Sequence, residues 1–430
     1  MDINSPFAQI VFNCKTKQQE EQAKSFLKIA SDNLQDIGIL DHIAQLQSTI
    51  KDYPETINSL VKMLGITNDQ SAVLAIRSNL AKIYNKINDP QSALRELNQL
   101  PKEISLEMEK ALSHYFLADY AKSEEIMREI AAIPNLPDQI RDRVDYNLAI
   151  YEIEKGNFKK GYHQYIEKGH RIHIWPTQNR AMIPQWKGEI EPGKTIIIHA
   201  EGGIGDEIIG VRFMNNIRDL GMRPVWKTNN RDLYTVFNRN GYECVLDYDE
   251  IETFDAAQVM AMYLPVYLNL DKDDVWKDTY LKPCDKHIEK WKKLLPEGPK
   301  LAIKWQGNMH YDQDLHRSIP VDKIKDLEYN GTKINLQLEP ELKNDWSFSP
   351  DINTIEDTLA ILWLCEDVIS SCTSIAHMAG AMGKKINVCP PIAYYYVWAN
   401  GSKWYGDHVT VIKQSVHGSW DEVFRKIDGK

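Results

Sequence analysis

None of the six cysteines (Cys14, Cys244, Cys284, Cys365, Cys372, Cys389) belongs to a CxxC pair. Neither a zinc knuckle nor a disulfide framework is indicated, and a reducing cytoplasm fits best. No apolar run approaches the length of a membrane span. Met1-Asp2-Ile3-Asn4 has no basic n-region, and the apolar stretch near Phe7–Phe12 is too short for a signal sequence. Positive charge is not in excess: 51 Lys and Arg against 61 Asp and Glu leave a formal charge of -10. That balance argues against broad nucleic-acid binding and leaves only a local basic groove open. A GxxxxGK[ST] run is absent, which excludes a P-loop.

What is present divides into two halves. Residues 1–171 are rich in Leu, Ala, Lys, Glu and Gln and poor in Gly, with apolar positions at helical spacing (Leu74, Ile76, Leu80, Ile83, Tyr84). Asn79-Leu80-Ala81 recurs as Asn147-Leu148-Ala149, and Asn88-Asp89 with Ala93 recurs as Gly156-Asn157 with Gly161. Both offsets are 68 residues, twice 34. Ala118-Asp119-Tyr120 lies between them in a shifted register. A 34-residue helical hairpin resembles the tetratricopeptide repeat. Hairpins are expected at 72–102, 107–133 and 140–168, with a degenerate hairpin or cap over 18–65; a generic helical bundle is the alternative. Stacked hairpins form a concave surface suited to a peptide or partner chain.

Residues 172–194 form a connector, where Trp175-Pro176, Pro184-Gln185-Trp186-Lys187-Gly188 and Pro192-Gly193 stop the helical pattern. From 195 on, β-rich and helical runs alternate, the pattern of parallel sheets with covering helices. Strands are expected at 195–200, 223–228, 243–246, 255–260, 299–305, 333–337, 367–371, 385–389 and 409–412. Helices are expected at 206–220, 231–240, 285–295, 320–328, 355–365, 374–383 and 419–427. A break near Pro283–Pro299 separates two Rossmann-type α/β sub-domains, 195–290 and 291–430.

Three strand-to-loop junctions carry the polar residues. Open α/β sheets bind ligands beyond the carboxyl ends of their strands. The first junction is His199-Ala200-Glu201-Gly202-Gly203-Ile204-Gly205-Asp206-Glu207. Its glycines permit a tight turn and close ligand approach, and the helix start offers free amides; a plain βα turn with an acid near the helix start is the alternative. A dinucleotide fingerprint fits poorly, because Ile208 stands at the third glycine position. The second junction is Lys304-Trp305-Gln306-Gly307-Asn308, followed by Arg317-Ser318, which suits phosphate. His310, Asp312, Asp314 and His316 alternate there, and solvated loop side chains are the preferred reading over a metal site. The third is Ser370-Ser371-Cys372-Thr373-Ser374, then His377. Hydroxyls and amides there would grip a diphosphate; N-cap chemistry with a core histidine is the alternative.

Taken in order, Pro184-x-Trp186-x-Gly188, the first junction, Trp305-x-Gly307-Asn308, Arg317-Ser318, Leu336-Gln337, Asp357-Thr358 and Thr373-Ser374-x-Ala376-His377-x-Ala379-Gly380-Ala381-x-Gly383 resemble the bacterial tetratricopeptide-repeat glycosyltransferases. Their catalytic half is similar to the lipopolysaccharide heptosyltransferases, of GT-B fold. The resemblance implies a helical repeat array followed by a GT-B-like pair of sub-domains, the first facing an acceptor and the second holding a nucleotide sugar. It makes Asp206 the general base and gives Thr373, Ser374 and His377 the diphosphate. Cys372, Gly202 and Tyr394-Tyr395-Tyr396-Val397-Trp398 depart from the family pattern. The chemistry adds Lys304 and Arg317, which with the helix start at Thr373 could replace a metal at the diphosphate. Gln337 and Asn308 suit base or ribose. Trp305, Tyr395, Trp398 and Trp404 suit stacking or core packing equally. With Gly203, Gly205, Gly307 and Cys372, these complete the candidate site.

The expected function is a cytoplasmic, metal-independent, inverting glycosyl transfer to a protein or glycan acceptor. No cofactor beyond the nucleotide-sugar substrate is expected, and the repeats would recruit a peptide or protein. The alternatives are a non-catalytic scaffold with a degenerate nucleotide-sugar-binding half, and a sugar-nucleotide epimerase.

Overall fold

Helix signals run uninterrupted through the first part of the chain. The computed structural model describes residues 5–14, 16–172, 183–199, 202–251, 255–271, 273–274, 278–308, 311, 314–401 and 404–429. Its packing forms two compact units, Met1–Ile130 and Ala131–Lys430. The first contains α1 (Pro6–Phe12), α2 (Lys17–Asn33), α3 (Ile37–Thr49), α4 (Tyr53–Ile66), α5 (Gln70–Lys86), α6 (Pro90–Leu97) and α7 (Ile104–Phe116), with α8 (Tyr120–Ala131) at its end. Asp36, Asp69 and Asp89 accept backbone N–H bonds at the starts of α3, α5 and α6, satisfying donors a helix start leaves open.

The turns α3–α4, α5–α6 and α7–α8 share one geometry. Lys51, Asn88 and Ala118 take φ of 58°, 62° and 64°. The following N–H reaches back five residues, from Asp52 to Gln47 O (2.8 Å), Asp89 to Tyr84 O (2.8 Å) and Asp119 to His114 O (2.9 Å). A left-handed alanine costs about 1 kcal/mol, so at Ala118 the hairpin's packing outweighs local preference.

The second unit opens with α9 (Asp138–Glu154) and α10 (Phe158–Ile172), joined by the same turn with Gly156 at φ 84° and Asn157 N–H bonded to Glu152 O at 2.9 Å. This hairpin packs with the sheets: Phe158, Tyr162 and Ile166 share one core with Trp404 and Tyr396, and the Tyr162 hydroxyl donates to Met262 O at 2.9 Å. Of the connector, Trp175 and Pro176 lie outside the described residues. Trp186 is buried, and its N–H pairs with Gln258 O at 2.8 Å.

Two parallel sheets follow. β1 (Thr195–His199), β2 (Arg223–Lys227), β3 (Cys244–Val245) and β4 (Ala256–Met260) are ordered β3-β2-β1-β4. β5 (Lys300–Lys304), β6 (Thr332–Asn335), β7 (Asp367–Ser371), β8 (Ile386–Cys389) and β9 (Val409–Val411) are ordered β6-β5-β7-β8-β9. Ile196, Ile197 and Ile198 are fully buried because helices cover both faces. Covering helices are α11 (Ile204–Val211), α12 (Phe213–Asp219), α13 (Arg231–Arg239), α14 (Leu264–Tyr267), α15 (Asp285–Leu294), α16 (Asp314–Arg317), α17 (Val321–Lys325), α18 (Ile355–Leu364), α19 (Ser374–Ala381) and α20 (Asp421–Ile427). The single helix expected at 206–220 is broken at Arg212. α14 and α16 were not expected, being too short for periodicity to show.

Two contacts pin the sheets together. Arg239 on α13 forms a bidentate pair with Glu356 on α18, at 2.6 and 2.9 Å, and Asp232 accepts the Ile355 N–H at 3.1 Å. α11 also packs against α19. The carboxyl ends of β1 and β7 therefore face each other.

Candidate functional site

On the first sheet, β1 ends at His199. Gln258 donates to Ile183 O at 2.7 Å, so its carbonyl oxygen faces His199 Nε2 at 2.9 Å. That places the imidazole proton on Nε2 and leaves Nδ1 to accept from the Tyr248 hydroxyl at 2.9 Å. Asp206, in the first turn of α11, folds back on the helix start. Its Oδ2 accepts from Gly203 N–H at 2.7 Å, and its Oδ1 accepts from the Tyr395 hydroxyl at 2.6 Å. Burial raises its pKa above the ordinary value, opposed by the Tyr395 hydroxyl and the backbone amides. Glu207 is buried beside it, accepting from the Trp226 indole at 3.1 Å.

Gly205 on α11 is where the first α/β sub-domain touches the second. A Cβ there would lie 2.8 Å from Cδ2 of His377 on α19, so no larger residue fits without movement. His377 is 4% exposed. Its Nδ1 meets the Tyr405 hydroxyl at 2.9 Å, and its ring stacks on Trp398 at 4.8 Å. Burial, followed by the nearby charge of Arg212, pushes its pKa down to about 3. His377 is therefore neutral near pH 7 and brings no positive charge to a diphosphate.

On the second sheet, Lys304 ends β5 nearly buried, with Nζ 3.9 Å from Glu339; burial lowers its pKa. Trp305 is buried. A Cβ on Gly307 would collide with the Arg317 guanidinium and the Asp314 carboxylate. Arg317 donates to Asp314 at 2.7 Å and to Cys372 O at 3.0 Å, with Tyr311 stacked at 4.8 Å. Asn308 is exposed, and its carbonyl accepts from Tyr311 N–H at 3.0 Å. The Cys372 thiol accepts from the Trp398 indole at 3.0 Å, and burial raises its pKa to about 11. Thr373 is the N-cap of α19 but makes no side-chain cap bond; its hydroxyl pairs with Ser370 at 2.9 Å. The helix start at the half-buried Ser374 thus keeps its amides without a side-chain cap. Gln337 is 2% exposed, and neither of its amide atoms has a hydrogen-bond partner; the buried Ser371 hydroxyl also lacks one. Each unpaired buried group costs on the order of 1–3 kcal/mol.

His310 and Asp312 lie outside the described residues. Asp314 and His316 are buried, and Asp314 is bonded by Arg317 and by Ser318 at 3.2 Å. Among the described residues no three His, Cys, Asp or Glu side chains converge as metal ligands, and no helix is long and apolar enough to cross a membrane.

The structure thus draws the turns after β1, β5 and β7 together. It also fills the space at Asp206 with the Tyr395 phenol. Two surface cavities, about 560 Å³ along Lys159, His163 and Glu167 and about 300 Å³ around Leu301, Tyr329 and Lys385, are lined by none of the candidate residues. Sequence reasoning missed Arg212, which is fully buried, donates to Trp404 O and to Tyr280 at 2.9 Å, and packs on Tyr405. The available signal was an arginine inside the apolar run Ile208–Met214.

No protein-family model matches the sequence, and no curated protein matches it. Among solved structures, the chain is similar to a glycosyl transferase family 9 protein from Veillonella parvula, at 11% identity over 56% of this chain and 94% of that one, with a TM-score of 0.42. It is similar to the E. coli heptosyltransferase WaaC with ADP, at 9% identity, 55% and 99% coverage and a TM-score of 0.38. A Thermobaculum terrenum O-GlcNAc transferase is similar over 94% of this chain and 90% of its own, at 11% identity and a TM-score of 0.35. Likeness of that degree carries no chemical conclusion.

Proposed function

We propose that the protein is a GT-B glycosyltransferase that moves a sugar from a nucleotide-sugar donor to a protein or glycan acceptor, with tetratricopeptide-like hairpins recruiting the acceptor or a partner. The observation that carries this reading is the convergence of three βα turns. Gly205 abuts His377, and Arg317 holds the carbonyl before an α19 start that lacks a side-chain cap. Uncapped amides and the helix dipole favour a diphosphate there, with Arg317 and Lys304 supplying positive charge to the leaving group. The residue order of the motifs supports the same reading.

Asp206 is the base in this scheme. Burial already raises its proton affinity, which suits general-base catalysis nearer neutral pH. A carboxylate has about four lone-pair sites, of which Gly203 N–H and Tyr395 take two. An acceptor hydroxyl reaches Asp206 beside Tyr395 or by displacing it. Transfer proceeds without a metal and with inversion. Incubation with UDP-, ADP-, GDP- and CDP-sugars, with and without EDTA, tests the proposal. Transfer or slow donor hydrolysis that survives EDTA is expected. No turnover and no thermal stabilisation by any nucleoside diphosphate would sink it.

A further inference from the structure

The carboxyl ends of β6, β5 and β7 hold polar groups that the rest of the fold leaves unsatisfied. Ile303 pairs with Asn335, and Lys304 pairs with Ser370. Carrying these registers past the strand ends, two residues for β6 and one for β7, sets Trp305 level with Gln337 on one side and Ser371 on the other. Side-chain alternation turns them to the sheet face that carries Leu301, Ile303 and Ile369. The Gln337 amide is sealed from solvent with a donor and an acceptor both unpaired, and so is the Ser371 hydroxyl. The Trp305 indole lies against Trp346, ring centroids 6.0 Å apart. Leu338 and Tyr311, on segments leaving β6 and β5, are 60% and 49% exposed. α19, with no side-chain cap at its start, begins three residues after Ser371.

We infer that this cluster of unpaired groups reads the edge of a nucleobase, with the Gln337 amide as the discriminating group. A side-chain amide offers a donor and an acceptor side by side and matches a base edge that presents the complementary pair. Sugar hydroxyls would need no flat apolar neighbour, whereas a base does. The inference rests on the donor reading above and goes beyond it: base selection lies at the end of β6, apart from the diphosphate grip. Because the amide is buried, a base reaches it only when the side chains that cover it move aside.

Calorimetric titration with ADP, UDP, GDP and CDP tests this, alongside melting curves of the unliganded protein. Wild type should prefer one base. Gln337→Met keeps the shape and removes both unpaired groups. It should lower affinity for the preferred nucleotide about tenfold or more and level the preference, while raising the unliganded melting temperature by about 2 °C. Ser371→Ala should act in the same directions by less, and it serves if Gln337→Met does not fold. An unchanged base preference in the variants, or a wild type that binds all four alike, overturns base reading while leaving the donor proposal standing. A wild type that binds none overturns both.

Discussion

The two sheets of the second unit treat the polar groups at their carboxyl ends in opposite ways. At the first sheet three such groups are paired inside the protein: His199 with Gln258 and Tyr248, Glu207 with Trp226, Asp206 with Gly203 and Tyr395. At the second sheet Gln337 and Ser371 are buried without partners, and Lys304 reaches its nearest carboxylate only at 3.9 Å. A side that is internally satisfied holds its geometry without a ligand. A side with unmet donors and acceptors gains most when a ligand arrives, since buried unpaired groups are costly. The contrast fits the proposed arrangement, in which a preset base stands opposite a donor site that its substrate completes.

Substitutions can break that contrast. Asp206→Ala should have the largest effect, lowering transfer by about 10²- to 10⁴-fold and leaving nucleoside diphosphate affinity within about twofold. Equal loss of both, read by turnover and calorimetry, would erase the division between the sides. Lys304→Met should weaken diphosphate binding about tenfold. It should also stabilise the unliganded fold, because burial already penalises the ammonium; a lower melting temperature would show that Lys304 is satisfied after all.

Tyr395→Phe should have the smallest effect, seen in the pH profile of transfer. The folded-state pKa of Asp206 is raised by burial and held back by the Tyr395 hydroxyl. In the proposed mechanism transfer needs the carboxylate, so activity should be present above that pKa and lost as pH falls through it. Removing the hydroxyl raises the pKa further and moves the acid limb to higher pH. An unmoved limb would show that a group other than Asp206 sets it.

The elements of this protein were legible where periodicity is strong. Strands form in the places expected at 195–200, 299–305 and 367–371 because continuous apolar runs must be covered on both faces. The hairpin turns were legible in Asn88-Asp89 and Gly156-Asn157, residues that tolerate a left-handed backbone. Ala118 was readable only by analogy. Asp206 was legible as a polar residue at a helix start, but its Tyr395 partner lies 189 residues away, and no local pattern links them. His377 read as a ligand to anions, yet neutrality follows from burial among Trp398, Tyr405 and Arg212, which spacing cannot reveal.

By itself the sequence determined the strands, the helical hairpins and the polar turns, because these follow from short-range periodicity and backbone preference. Only the tertiary structure decided which polar groups are paired. Hydrogen bonding and burial depend on residues brought together from distant parts of the chain, and they set whether Asp206 is held, His377 is neutral and Gln337 is left wanting a partner.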